Sequence, residues 1–174
     1  IVLEDGQEVD LNLAAPCWMA WAAGLLQRGY MVFVDYGYEA RELYIPQRRR
    51  GTLLAYHLHR VNEDFLHRPG DQDLTAHVDF TAVRRAAEAA GARFLGLTSQ
   101  ASFLLALGAL DFLQAPEAAG AGQAGAPADR LIEAMKDREA LKELVLPGRM
   151  GERFKVLVLG VGEVMRDLAG LSRP

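Results

Sequence analysis

The chain is 174 residues long, half hydrophobic and a quarter charged, which suits one globular domain with an apolar core and excludes a disordered or fibrous protein. A net charge of -4 and a pI near 5.6 give no general attraction to phosphate backbones, so nucleic acid is not expected as a partner. Cys17 is the one cysteine, which excludes an intramolecular disulfide and a thiolate metal cluster and points to a reducing compartment. The apolar stretches are broken at Pro16, Arg28, Asp35 or Gly108 before the roughly 20 residues that a membrane span requires. Ile1 opens the chain with no methionine and no basic segment ahead of an apolar core, so it reads as a fragment or a processed product.

Ala14 to Gln27 is rich in Ala, Leu, Trp and Met, carries Pro16 where a first turn tolerates it and stops before Gly29, which predicts a helix. Met31 to Val34 is a continuous apolar run ahead of Asp35, Tyr36 and Gly37, as expected of a strand buried on both faces. Helix, tight turn and parallel strand indicate an α/β fold. Arg48, Arg49 and Arg50 form the only basic run, with no interleaved aromatic platform, and read as a solvated loop. The pattern from Gly37 to Phe80 is irregular and holds two prolines and most of the histidines, so residues 38–79 are expected to be a functional insertion.

Phe80 to Ala90 is predicted as a helix capped by Asp79 or Thr81 and stopped by Gly91, and Arg93 to Thr98 as a second strand. Ser99 to Leu113 has near-helical apolar spacing, with Ser99 available as a cap. Glu117 to Ala128 contains only Glu, Ala, Gly, Gln and Pro and is expected to be a flexible loop within the fold. Asp129 to Val145 resumes helical character until Pro147 and Gly148, and Phe154 to Leu159 is β-branched and aromatic enough for a last strand. No internal repeat marks a solenoid.

Several residues invite a chemical reading. In VFVDYGY, Val32 to Tyr38, Asp35 stands at the expected carboxyl end of a strand, where open α/β sheets build ligand crevices; a turn or cap role is the alternative. Thr52, His59, Asp73, Thr75 and Asp79 interrupt apolar stretches in RRRGTLLAYHLH and GDQDLTAHVDF, and buried polar groups need partners or a purpose. Asp79 is equally an adequate cap for the following helix, and Asp73 with Thr75 could satisfy a turn. His57, His59, His67 and His77 match no zinc spacing, and no metal is expected. Ser99, Ser102 and Ser172 lack the glycine-flanked turn of a hydrolase nucleophile, and neither glycine pair, Gly120 with Gly122 or Gly160 with Gly162, stands in a strand-to-helix phosphate cradle.

Taken in order, VFVDYGY, GTLLAYHLH, PGDQDLTAHVDF, SQASFLLALG and MGERFKVL resemble the successive motifs of the MidA family of S-adenosylmethionine-dependent methyltransferases, over Leu3 to about Leu159. The resemblance implies the carboxyl-terminal half of a class I, Rossmann-like methyltransferase fold, with Met31 to Val34 as fifth strand, Arg93 to Thr98 as sixth and Phe154 to Leu159 as antiparallel seventh. It implies S-adenosylmethionine as cofactor, with the glycine loop and ribose-binding acid in an amino-terminal half that would be this chain's first partner. It also implies a protein arginine as acceptor, since the mitochondrial member dimethylates an arginine of a respiratory complex I subunit during assembly. The bacterial cytoplasm or the mitochondrial matrix follows as location, and the 38–79 insertion would cover the acceptor side.

Methyl transfer to arginine is an in-line displacement on a sulfonium, so the enzyme aligns the reactants and strips water from them. The guanidinium stays protonated below about pH 12, and carboxylates must orient it and accept its proton. Asp35, Asp73 and Asp79 are the candidates for that clamp, with His59, the histidine at the family motif's position, beside them. Tyr36 and Gly37 are assigned to the cofactor side, and Thr52, Thr75 and Gln100 to the acceptor. Two rival readings stand: a non-catalytic protein-binding module on the same fold, and a nucleotide-dependent oxidoreductase, which would need a dinucleotide fingerprint upstream.

Overall fold

The computed structural model describes residues 1–111 and 128–172, with the side chains of 128–134 outside that description. None of its helices is long and apolar enough to cross a membrane. The chain divides into two compact units, one of residues 1–31, 35–94 and 159–163, the other of 32–34, 95–158 and 164–174.

In the first unit, α1 (Ala15–Gly24) carries Pro16 in its first turn, and the Asn12 carboxamide oxygen accepts from the Ala14 and Ala15 amides at 3.1 and 3.0 Å. Met19 and Ala23 are its buried residues, and it packs on α3 (Phe80–Ala89). Gly24 ends α1 three residues before the expected Gln27. A ten-residue strand follows, β1 (Gly29–Tyr38), longer than the apolar run at both ends. Met31 is buried, whereas Val32 and Val34 are each 51% exposed, so the expectation of burial on both faces fails; side chains alternate across a strand, and the described residues leave that second face open.

Asp79 caps α3: its Oδ1 accepts from the Thr81 and Ala82 amides at 2.9 and 3.0 Å. Thr81, the other candidate cap, uses its hydroxyl oxygen on the Ala40 amide at 2.9 Å instead. Phe80 and Ala87 anchor this helix, at 1% and 0% exposure.

Residues 39–79, irregular in sequence, hold regular structure. They form α2 (Ala40–Leu43), a three-stranded antiparallel sheet in the order β3 (Arg60–Asn62), β2 (Leu54–His57), β4 (Asp73–Thr75), and the two-residue β5 (Val78–Asp79). Strands of two to four residues are too short to show a period of two, which is why the pattern hid them. Leu58 and His59 join β2 to β3 with φ of 48° and 62°, the two positive values of a type I′ hairpin turn.

The larger sheet has the order β5, β1, β7 (Phe154–Val161), β6 (Arg93–Ser99), with β5 parallel to β1. Val156 to Leu159 of β7 are at most 1% exposed, the densest apolar burial among the described residues. In the second unit, Ser99 caps α4 (Gln100–Ala106) by accepting from the Ser102 amide at 3.1 Å. This helix stops well before the expected Leu113, in a turn where Gly108 has φ of 85°. It packs on α5 (Ala128–Val145), α6 (Met150–Arg153) and a 3₁₀ turn (Ala169–Leu171). The flexible loop expected over Glu117 to Ala128 lies outside the described residues, apart from Ala128, which opens α5.

Candidate functional site

In the first unit three chain segments far apart in sequence meet around polar groups. Thr52, just after Arg48 to Arg50, donates its amide and hydroxyl to Asp10 Oδ2, the hydroxyl at 3.0 Å, and the Leu53 amide reaches the same oxygen at 3.0 Å. Gly51 precedes them with φ of 69°, where a Cβ would crowd that carboxylate. The Thr52 hydroxyl oxygen also accepts from the His77 amide at 3.0 Å, which ties the strand-bound segment at 73–79 to the loop at 48–53.

His77 sits between tyrosines. The Tyr36 ring meets it edge-on with centroids 5.8 Å apart, the Tyr38 ring at 5.3 Å, and the Arg48 guanidinium lies over the Tyr38 ring at 4.2 Å. Burial, and then the positive charge of Arg48, push the His77 imidazole below its usual range, against a smaller opposing pull from Asp10. It is therefore neutral near pH 7. The Tyr36 hydroxyl bonds the Thr75 hydroxyl, which holds β1 to β4 through side chains.

At the end of β1, Gly37 pairs with Val78 and Tyr38 with Asp79. A Cβ on Gly37 would overlap the Val78 backbone, so glycine is required there by strand approach. Asp79 Oδ2 accepts from the Tyr44 hydroxyl at 3.1 Å. Burial first, then the Asp79 charge and hydrogen bond, push the Tyr44 phenol up to about 12.

Beside these groups lies an open cleft of about 440 Å³ whose charged lining is Glu8, Asp10 and Glu63 with Arg48 and Arg50, beside His77 and the apolar Leu54 and Phe65. That volume is within the range of small-ligand sites. Arg50 is bonded to Glu63 at 2.6 Å across its rim.

The sequence-derived candidates fall in different places. Thr52, Thr75, Tyr36, Gly37 and Asp79 belong to the connected network just described. Asp35 is exposed inside β1 rather than beyond its end, because the strand runs on to Tyr38, and its Oδ1 accepts from the Tyr36 amide at 2.8 Å. Asp73 is exposed on β4 opposite Tyr56. His59 is exposed in the hairpin turn. Gln100 belongs to the second unit, buried, with Nε2 donating to the Leu144 carbonyl at 3.0 Å. No hydrogen bond among the described residues joins Asp35, Asp73 and Asp79 into one clamp.

Asp10, Tyr38, Tyr44 and Arg48 escaped the sequence reading. Arg48 had been taken with its neighbours as solvated, yet it is half-buried and donates to the Glu42 and Leu43 carbonyls, the latter at 3.0 Å. The spacing within RRRGT, with a glycine three residues past Arg48, was the one available hint. His57 is also committed: Nδ1 bonds the Asp71 carbonyl at 2.7 Å and Nε2 accepts from Arg68 at 2.9 Å. Among the described residues no group of three or more His, Cys, Asp and Glu could hold a metal ion.

A mixed sheet with a parallel pair at one edge, interleaved in sequence with helices, defines an α/β domain. Residues 1–98 match the family described as "Putative S-adenosyl-L-methionine-dependent methyltransferase", and the chain belongs to that family. Two crystal structures of Burkholderia thailandensis proteins from one superfamily are similar to it. One, described as a "likely methyl transferase" bound to S-adenosyl-homocysteine, is 32% identical with a TM-score of 0.79, covering 98% of this chain and 39% of that one. The other, a native crystal structure of an uncharacterised protein, is 34% identical with a TM-score of 0.73, covering 97% of this chain and 42% of that one. The chain thus spans about two fifths of the length of these relatives. No curated protein matches it.

Proposed function

We propose that this chain is the carboxyl-terminal part of an S-adenosylmethionine-dependent methyltransferase of the class I type, and that its first unit serves the acceptor side. The observation that carries this reading is the likeness, over 98% of the chain, to a protein bound to S-adenosyl-homocysteine, the product such a reaction leaves. β1, β6 and β7 are then the fifth, sixth and seventh strands, supported by β7, last in the chain, being inserted between the other two. Residues 38–79 are the acceptor-side insertion, supported by the cleft they line.

The cofactor supplies a methyl group on a positively charged sulfur. Toward it Tyr36 and Gly37 shape a wall, with the Tyr36 hydroxyl bonded to the Thr75 hydroxyl and Gly37 paired with Val78 of β5. On the acceptor side the finer reading is a protein arginine, of the kind methylated in respiratory-complex assembly, in the bacterial cytoplasm or the mitochondrial matrix. It rests on the motif resemblance together with the carboxylates at hand. Asp79 is the strongest of these: Oδ1 holds the helix end while Oδ2, which among the described residues accepts from the Tyr44 hydroxyl alone, retains accepting capacity toward a guanidinium. Tyr44, kept as a phenol up to about pH 12, orients that oxygen without competing for the cation's charge. Asp35, Asp73 and His59 remain proposed as outer, exposed contacts and Thr52 and Thr75 as acceptor-side positions, whereas Gln100 is buried in the second unit with its amide on the Leu144 carbonyl.

The test is transfer of labelled methyl from S-adenosylmethionine by the full-length protein to proteins of its own organism, followed by amino-acid analysis of the labelled product. Label in methylated arginine supports both levels of the reading. Label in another residue keeps the methyltransferase and removes the arginine, and absence of any transfer removes both.

A further inference from the structure

α1 has two apolar faces where a surface helix needs one. Met19 and Ala23, one turn apart, form the buried face of a helix that packs on α3. Ala14, Trp18, Trp21 and Leu25 are spaced i, i+4, i+7 and i+11 and form a second stripe, the two end residues still in right-handed helical conformation. Trp18, Trp21 and Leu25 are 51%, 59% and 63% exposed, and the indole rings of the two tryptophans lie 6.3 Å apart between centroids. From Leu11 to Gln27 no residue is charged. A helix face turned to water is ordinarily polar, and a helix that is apolar around its girth is covered on more than one side.

Two further observations say what covers it. β1, which follows α1 after a short turn, is met by β5 only at Gly37 and Tyr38, the last two residues of a ten-residue strand. The sheet thus has room for another strand along the side that β5 barely reaches. The two Burkholderia thailandensis proteins are alike to this chain over 98% and 97% of its length, yet it spans only 39% and 42% of theirs. In them the same fold is part of a longer polypeptide. A lipid surface fits less well, because helices that lie on membranes set basic residues beside the apolar face, and this stretch holds none.

We propose that the stripe of Ala14, Trp18, Trp21 and Leu25 is the seat on which the amino-terminal part of the same polypeptide lays an apolar, uncharged face. The inference rests on the reading of this chain as the carboxyl-terminal part of a longer protein, and it does not depend on which reaction that protein catalyses. Tryptophan and leucine bring large area and no charge that would need a partner, so shape and burial hold the seat together. If the cofactor's glycine loop lies in that other part, α1 is the rivet that sets the cofactor side against the unit that bears the cleft.

The experiment is hydroxyl-radical labelling of the full-length protein, read residue by residue by mass spectrometry at a concentration where sedimentation shows a monomer. Trp18, Trp21 and Leu25 should be labelled about 5-fold or more slowly than in the urea-unfolded protein, while Leu58, 79% exposed, changes little. Trp21→Glu should lower the melting temperature of the full-length protein by about 5 °C or more, and Ala20→Glu, on the small-residue face with Pro16 and Gly24, by much less. If Trp21→Glu does not fold, the labelling of the wild type decides the matter. Free labelling of Trp21 and Leu25 in the monomer, a Trp21→Glu protein that melts like the wild type, or a source protein no longer than this chain would each overturn the seat. Protection that appears only at high protein concentration, or only with phosphatidylcholine vesicles, would give the stripe to a second copy or to a lipid surface and overturn it as well. Because no methyl transfer is measured, an inactive protein with a protected stripe refutes the methyltransferase reading alone, and an active one with a labelled stripe refutes the seat alone.

Discussion

β7 and the segment from 39 to 79 are held together by opposite means. Val156 to Leu159 of β7 are at most 1% exposed, so that strand is fixed by the area it removes from water. In the 39–79 segment Ala40, Leu43 and Ala55 are buried but Tyr56, Val61, Leu58 and Leu74 are all exposed, and much of what fixes the chain is hydrogen bonds reached from a distance: Asp10 accepts from the loop at 52–53, Asp79 accepts from Tyr44, and the Tyr36 and Thr75 hydroxyls bond each other. A region built from hydrogen bonds around a cleft is specific in geometry and weak in burial, the combination expected where a ligand must enter.

That contrast breaks first at β7. Leu157→Ala removes a fully buried side chain and should cost about 2–5 kcal/mol in denaturant unfolding; a loss well under 1 kcal/mol would mean the strand is not the anchor. Next comes Asp10→Ala, which strands the Thr52 and Leu53 amides and the Thr52 hydroxyl and should cost about 1–3 kcal/mol. Asp10→Asn should recover most of this, because a carboxamide oxygen accepts the same bonds, and equal losses for both would show that charge rather than hydrogen bonding matters there.

A smaller effect appears with pH at Tyr44. Its phenol is raised to about 12 in the fold, against about 10 in the unfolded chain, so the unfolded state gives up its proton first as pH rises. The stability this contributes is complete below pH 10 and is lost progressively between about 10 and 12. Thermal melts of wild type and Tyr44→Phe should converge across that window, and parallel curves would show that burial and Asp79 do not raise the Tyr44 phenol.

The same contrast decides what could be read from the residues. β1, α3, β6, α5 and β7 were placed to within a few positions because each carries its own apolar run or cap, and Asp79 and Ser99 act as the caps their positions suggest. The three-stranded sheet stayed hidden because its strands span only three or four residues. Thr52 and Thr75 were singled out as polar interruptions, but their partners were not: Asp10 lies 42 positions from Thr52 and Tyr36 lies 39 from Thr75. Asp35 was misplaced by taking the apolar run for the whole strand, and Arg48 by taking three arginines for one solvated patch.

Asp79 is where the two ways of holding the chain meet, since one oxygen caps the helix anchored by buried Phe80 and Ala87 and the other accepts from Tyr44. The most direct measurement is methyl transfer by full-length Asp79→Asn, with thermal melting alongside. Asparagine caps about as well as aspartate, so stability should change by less than ~1 kcal/mol, while loss of the carboxylate that holds or deprotonates the acceptor should lower turnover by roughly 10²-fold or more. A variant that melts normally and methylates at the wild-type rate would leave Asp79 a helix cap and contradict its place in the acceptor site.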